Sequence, residues 1–530
     1  MRNPTFAALV ALAALAAAPL DALAQQDSSE PVWRDGAGAD EVPESDESDE
    51  SDEDESSLTP PSALELRVWG GGSDLAGFAD GEPSARRGLY SRLRLRYADT
   101  FGALTVAAET DLASGLLLGD DPVAIPDAAR TRATPGRVQD DLFGAAFDPR
   151  ELYVGYRTPV GLVRAGLQSS HWGLGLLANS GRSDEDQLFN QRFGGDRSFR
   201  ALFATTPFAP LGGALAENLF VVLGADVVFR DDLADLTAGD RALQGLLSVA
   251  WREGDSLLGG YMAYRDQRDR DGDHLSVLAI DAAATHSFDI ADGAVVIDLG
   301  AEVAGFFAET DRVLARQTAE PVSVVAAGGA IEASALHRAT EIGLHLDAGF
   351  ATGDADPDDD TIYRFRFDPN YKVGLILFDH YIPAITRLAH QRAVDPDNLG
   401  QPPKGADGLI SDGTVENALY LNPQLTFGAP DGLLTGIGAL IAWSEQPLAD
   451  PYNSFEGGGE PVGPRGAPAS RELGFEVDVS AQMLIHLPAS LDLQLKGEYA
   501  ILFPGAALED ALGSGAPPQN LVRGRVALLW

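Results

Sequence analysis

Asn520-Leu521-Val522-Arg523-Gly524-Arg525-Val526-Ala527-Leu528-Leu529-Trp530 alternates in character with a period of two. Counting back in twos from Trp530 gives Leu528, Val526, Gly524 and Val522, an apolar face. The other parity gives Leu529, Ala527, Arg525 and Arg523, which ends in two charges. Period two marks a strand, and a strand apolar on one side with arginines on the other suits a wall between lipid and water. The two preceding segments repeat the pattern. Leu491, Leu493, Leu495, Tyr499, Ile501 and Phe503 alternate with Asp492, Gln494, Lys496 and Glu498. Leu473, Phe475, Val477, Val479, Met483 and Ile485 alternate with Glu472, Glu476, Asp478, Ser480, Gln482 and His486. Three such strands in succession predict the end of a transmembrane β-barrel. Trp530, on the lipid-facing parity, looks like the assembly signal read by the outer-membrane insertion machinery.

At the other end, Arg2 precedes a small apolar run from Phe6 to Ala18, and Ala22-Leu23-Ala24 offers an A-x-A cleavage site. Residues 1–24 therefore read as a secretory signal peptide. No later run approaches the roughly 18 apolar residues that a spanning helix needs. The chain has no cysteine, so no disulfide holds it together in an oxidising compartment. Of the formal charge of −42, residues 27–57 hold fourteen acids against the single Arg34. Residues 25–62 are expected to be a disordered, self-repelling acidic segment in the periplasm, a solvated spacer rather than a specific binding arm.

From residue 63 onward, alternating segments predict strands near 63–70, 88–98, 102–113, 150–158, 161–168, 198–206, 217–229, 241–251, 255–265, 273–288, 293–307, 321–334, 338–351, 415–427, 432–443, 470–487, 490–503 and 519–530. The expected fold is all-β, a transmembrane antiparallel barrel of about eighteen strands over 63–530, with sixteen as the alternative count. Tight turns rich in Gly, Pro and Asp fall at 99–102, 158–161, 253–255, 291–293, 429–432 and 488–490. The other connections are long and polar, in strict alternation with the turns. That asymmetry belongs to barrels of the bacterial outer membrane, the expected location. A soluble solenoid would show a fixed repeat period, and none is present. Tyr97, Trp251, Phe288, Phe427 and Trp530 gather near one set of strand ends, and Phe229, Phe307, Phe350, Trp443 and Phe503 near the other. These read as two interfacial girdles.

Two sets of short motifs carry a family resemblance. Leu473-Gly474-Phe475-Glu476-Val477-Asp478, followed by Gly497-Glu498-Tyr499 and Phe503-Pro504-Gly505, resembles the C-terminal part of the alginate-export family of outer-membrane barrels. Glu151-Leu152-Tyr153-Val154-Gly155-Tyr156, leading into Arg164-Ala165-Gly166-Leu167-Gln168, resembles a hairpin of that family. The resemblance covers about a quarter of the barrel. It implies some eighteen strands around a basic pore that passes an anionic polysaccharide, and it assigns no pore residue in this chain.

Parity also locates the charges. Strand 88–98 sends Leu93, Leu95 and Tyr97 outward, and so Arg92, Arg94 and Arg96 inward. Reversing it would place three arginines in lipid at roughly 2–4 kcal/mol each. By the same rule Arg67, Arg157, Arg164 and Arg200 face the lumen, and barrel closure brings Arg523 and Arg525 to the same wall. The pore-lining set is Arg67, Arg92, Arg94, Arg96, Arg164, Arg200, Arg523 and Arg525. Glu65, Glu109 and Asp111 are the acids placed to pair with it, and they are fewer than the arginines. Asp298, Glu302, Glu341, Asp347, Glu472, Glu476, Asp478, Asp492 and Glu498 are expected on a facing, acidic wall. A polarised lumen of this kind guides anions; the bland alternative is that the charges simply pair.

Loops 169–197 and 352–414 each hold an apolar run, Leu174-Gly175-Leu176-Leu177 and Val373 to Phe378, and the second carries a short helix at 384–394. Apolar runs in long loops need burial, either inside the barrel or in a self-packed cap. The acidic stretches 354–360 and 269–273 lack EF-hand spacing and read as solvated loops rather than Ca²⁺ sites. His171 near Ser169, Ser170 and Asp184 comes with no nucleophile elbow, so an enzyme is not expected, nor a cofactor, a metal or a nucleic-acid partner. The expected function is a porin-like channel or exporter for anionic solutes or polysaccharide. The alternative is a plugged structural or binding barrel.

Overall fold

A computed structural model describes residues 63–76, 83–119, 146–181, 188–189, 195–312, 321–355, 360–395, 397, 409–458 and 460–530. The expected signal peptide and acidic segment lie outside the described residues. The barrel is built from β1 (Ala63–Ala76), β2 (Pro83–Phe101), β3 (Leu104–Gly119), β4 (Phe147–Thr158), β5 (Gly161–Ser169), β6 (Arg197–Thr205), β7 (Leu219–Arg230), β8 (Arg241–Glu253) and β9 (Ser256–Arg268). It continues through β10 (His274–Ile290), β11 (Val295–Thr310), β12 (Val322–His337) and β13 (Ile342–Ala351). A two-residue strand, β14 (Thr361–Ile362), pairs in parallel with the start of β12 and stands outside the antiparallel series. The wall is completed by β15 (Ala418–Phe427), β16 (Leu433–Leu448), β17 (Ser470–Leu487), β18 (Leu491–Pro504) and β19 (Gln519–Leu529). Each of the eighteen long strands is antiparallel to its neighbours, and β19 pairs with β1, Leu528 opposite Leu66 and Ala527 opposite Arg67. The sheet has no edge. The expected eighteen-strand barrel is the observed fold.

Burial runs inside out relative to a soluble protein. On β4, Leu152 is 63% exposed and Tyr156 53%, whereas Glu151 next to Leu152 is 6%. On β18, Leu495 and Tyr499 are exposed while Gln494, Lys496 and Glu498 are buried. Apolar side chains outside and polar ones within require lipid around the barrel. Among the described residues no helix is long and apolar enough to cross a membrane; the strands form the spanning wall. Tyr97, Phe427 and Trp530 at one rim, and Phe307, Phe350, Trp443 and Phe503 at the other, are exposed as girdle residues should be.

Two features depart from simple alternation. The connection 206–218 lies on the tight-turn side yet is long, holding a 3-10 turn at Ala209–Leu211 and a helical turn at Ala214–Glu217. Short and long connections therefore do not alternate strictly. Gly474 sits at φ +141, and a Cβ there would lie 2.4 Å from the Phe503 carbonyl oxygen. The irregularity inverts parity upstream of it, so Leu473 is buried and Glu472 exposed, opposite to Phe475 and Glu476. Glu472 thus does not join a lumen wall.

Candidate functional site

The inner face of β1 to β4 concentrates guanidinium groups. Arg92 and Arg67 share Glu65, at 2.6 Å and 3.0 Å. Arg94 meets Asp111 with two parallel hydrogen bonds of 2.7 Å and 2.9 Å. Arg150 donates to Glu109 at 2.8 Å, and Arg94 and Arg96 stand 3.7 Å from the same carboxylate. The wall continues across the closing seam. Lys496 and Arg523 share Glu498, at 3.2 Å and 2.5 Å, and Arg525 donates to Gln494 at 2.6 Å. In this patch, eight cations share four carboxylates. Like charges can stay this close only around shared counter-charges, and Asp379 and Asp478 beside Arg523 and Asp148 beside Arg150 add to them.

The structure brings Arg67, Arg92, Arg94, Arg96, Arg523 and Arg525 together. Arg164 and Arg200 lie apart from them, on β5 and β6. Arg200 is locked to Asp226 by two bonds of 2.8 Å and 2.6 Å, and Arg164 lies 4.5 Å above the Tyr153 ring. Arg157 is exposed near the turn between β4 and β5. Sequence reasoning missed Arg150, because a bulge opposite Glu109 and Thr110 shifts the register and turns Arg150 and Glu151 both inward. Period-two counting has no signal for such a bulge. It also passed over Lys496, whose parity was correct.

The opposite half of the wall is covered by the two loops. Residues 365–385 of the long loop pack Phe365, Phe367, Tyr371, Ile376, Phe378 and Tyr381 into one apolar core with inner-face residues of β11 to β19. No residue of β1 to β9 belongs to that core. The helix after Pro383 is present, over Ile382–Val394, and Arg392 ties it to Asp450 at 2.8 Å and Asn453 at 2.9 Å. From the shorter loop, Trp172 stacks on Tyr261 at 5.9 Å and donates its indole N–H to Asp281 at 3.0 Å. Both apolar runs are inside the barrel. The self-packed cap does not form.

Burial at the loop core perturbs its ionisable groups. His380 is buried beside Asp379, Lys372 and Arg523, and desolvation lowers it to about 4 despite the Asp379 charge. Desolvation likewise pushes Asp368 up to about 7. Lys372 is fixed on Asp379 at 2.5 Å.

A cavity remains between the shorter loop and the wall of β5 to β9. Arg164, Gln168, Ser170, Arg200, Ser248 and Tyr261 line it. The facing acidic wall is thinner than expected. Glu341 lies in the turn between β12 and β13 at φ +51, Asp492 pairs with His486 at a barrel rim, and Glu498 belongs to the cationic patch. Glu302, Asp347, Glu476 and Asp478 do stand inside, beside a further carboxylate, Asp281. In the acidic outer loop, Asp269 accepts from the backbone of Asp271 and Asp273 and pairs with Arg312, so its carboxylate closes the turn. Asp184 and residues 356–359 lie outside the described residues.

No family model and no curated protein matches this chain. Several solved structures resemble it. The outer membrane protein OprD from Pseudomonas aeruginosa is similar at 12% identity and TM-score 0.47, over 88% of this chain and 92% of that one. Acinetobacter baumannii OccAB2 is similar at 11% identity and TM-score 0.47, over 88% and 97%. Pseudomonas aeruginosa OccK2 (OpdF) is similar at 12% identity and TM-score 0.44, over 88% and 96%, and has also been solved in complex with glucuronate. These likenesses do not single out the alginate-export family.

Proposed function

We propose that this barrel is a porin-like channel of the Gram-negative outer membrane that passes small anionic solutes. The path runs between the inward loops and the arginine-bearing wall. The observation that carries this reading is the patch of eight cations around four carboxylates, whose members on β1 to β4 stand on wall that the loops' apolar core leaves uncovered. Arg96 and Arg164 are only partly buried and are the groups a passing anion would meet. Arg67, Arg92 and Arg94 set the potential from behind ion pairs. Reversal potential of the purified protein in a planar bilayer under a salt gradient tests the reading. Anion preference supports it; cation preference rejects it.

A second reading is favoured by the apolar loop core itself: a plugged barrel whose outer surface meets partners. The same bilayer separates the two, since a plugged barrel gives no conductance steps. An anionic polysaccharide, the cargo suggested by the alginate-export resemblance, would require residues 365–385 of the long loop to leave the lumen. A small solute requires no such movement.

A further inference from the structure

The two inward loops are held by the same device, used twice. In the shorter loop, the backbone N–H groups of Leu174, Gly175 and Leu176 all donate to the Glu302 carboxylate on β11, the last two at 3.0 Å each. In the longer loop, the N–H groups of Leu375, Ile376 and Leu377 all donate to Glu476 on β17, at 2.6 Å, 2.7 Å and 2.7 Å. Three successive amides converging on one anion form a backbone nest, with fixed partial positive charge at its mouth. Each nest is entered through a left-handed glycine, Gly173 at φ +58 and Gly374 at φ +69. A Cβ on Gly173 would lie 2.4 Å from a Glu302 oxygen, and one on Gly374 would lie 2.8 Å from Leu440 and 3.1 Å from Glu476. Both glutamates are almost fully buried.

We infer that Glu302 and Glu476 are positioning residues that pin the two loops across the lumen and so set the width of the path. The clause about width rests on the channel reading; the pinning itself does not. The pins also account for where the wall is acidic, since these two carboxylates serve backbone amides rather than a solute. A glutamine in either place keeps the shape but offers one acceptor and an NH2 group against three donors, so the nest loses its anion and meets a competing donor. The two pins lie on different strands, but the loops touch: the Asp368 N–H donates to the Leu176 carbonyl at 2.7 Å and Leu176 shares the long loop's apolar core, so each pin should act first on its own loop and more weakly on the other.

The chain lacks cysteine, which permits a clean accessibility assay in the full-length protein. Ala178→Cys reports on the shorter loop and Ala389→Cys on the longer, both positions being buried. Membrane-impermeant maleimide labelling is compared in the wild-type, Glu302→Gln and Glu476→Gln backgrounds, with heat-modifiable migration confirming that the barrel is folded. Glu302→Gln is expected to speed labelling at 178 by about tenfold or more, the ratio expected for a lost charge-assisted hydrogen bond, and to change 389 much less. Glu476→Gln should do the reverse. Gly173→Ala and Gly374→Ala, which spoil the nests from the loop side and leave the wall intact, should reproduce the two patterns. Folded variants with wild-type labelling at both positions would overturn the pinning. Single-channel conductance is read in parallel. A silent wild type with loop-specific labelling rejects the channel and leaves the pins standing, whereas raised conductance in both glutamine variants supports both.

Discussion

Arg94 on β2 and Asp111 on β3 face each other in a two-pronged pair, 2.7 Å from Nε to Oδ1 and 2.9 Å from Nη2 to Oδ2. Both are buried, and Arg150 stands 3.8 Å from the same carboxylate. Asp111→Ala would take the two-pronged partner from the buried Arg94 guanidinium, at a cost of about 3–5 kcal/mol. The double variant Arg94→Met, Asp111→Leu removes the pair together and is expected to cost much less. Urea unfolding of the refolded barrel measures both. Equal losses in the single and double variants would contradict this account of the wall.

Reversing Arg92, Arg94 and Arg96 together is a poor probe of selectivity, because Arg92 and Arg94 are structural partners of Glu65 and Asp111. Arg96 and Arg164 are the partly open cations, whereas Arg523 is a structural partner of Glu498. Joint replacement of Arg96 and Arg164 by glutamine is expected to lower anion preference severalfold, while single-channel conductance changes less. An unchanged reversal potential would show that these two do not shape the path.

Removing residues 371–394 takes the second nest out of the lumen, together with the helix that follows it. Conductance should rise by at least about twofold, because a barrel of this size encloses more space than wall side chains can fill. Bilayer recordings of the folded deletion variant decide this; conductance at the wild-type level would place the narrowest point elsewhere.

His380 gives the loop core an acid sensitivity. Its folded value, about 4, lies below the ordinary 6.5, so the unfolded state binds the proton more readily. The stabilisation from its neutral form is complete above pH 6.5 and is lost as pH falls from there toward 4, by at most roughly 3 kcal/mol. Asp368, raised to about 7, acts in the opposite sense: its contribution is complete below pH 3.8 and fades as pH rises through 7. His380→Gln removes only the first effect. Relative to wild type, the variant should therefore gain stability between pH 7 and pH 4.5, measured as the difference in thermal midpoint. A difference that stays constant with pH would place His380 in water.

All eighteen long strands were legible because lipid outside and water inside impose one strict rule on every second residue. Leu495 and Tyr499 against Gln494 and Lys496 state that rule locally, without help from the rest of the chain. What stayed hidden was local irregularity. Gly474 and the bulge opposite Glu109 each add one residue to a strand, which inverts parity for Leu473 and Arg150. The inward course of the loops was half legible: the apolar runs at 174–177 and 373–378 demanded burial. Nothing in their composition named Glu302 and Glu476, which lie about a hundred residues away in the chain. The glycines at 173 and 374 were the available signal, and it becomes readable only once the nests are seen.

Leu64 and Trp530 exchange backbone hydrogen bonds of 2.7 Å and 2.9 Å across the closing seam. No other ladder in the wall joins residues so far apart in the chain, so its loop-closure entropy is the largest and its formation the slowest. Before that contact, β1 and β19 each offer a full row of unsatisfied amides and carbonyls, a template for pairing with any neighbouring chain. Assembly of this protein is therefore a race between zipping one seam and polymerising through two open ribbons, and whatever escorts the chain must mask both ribbons until they meet.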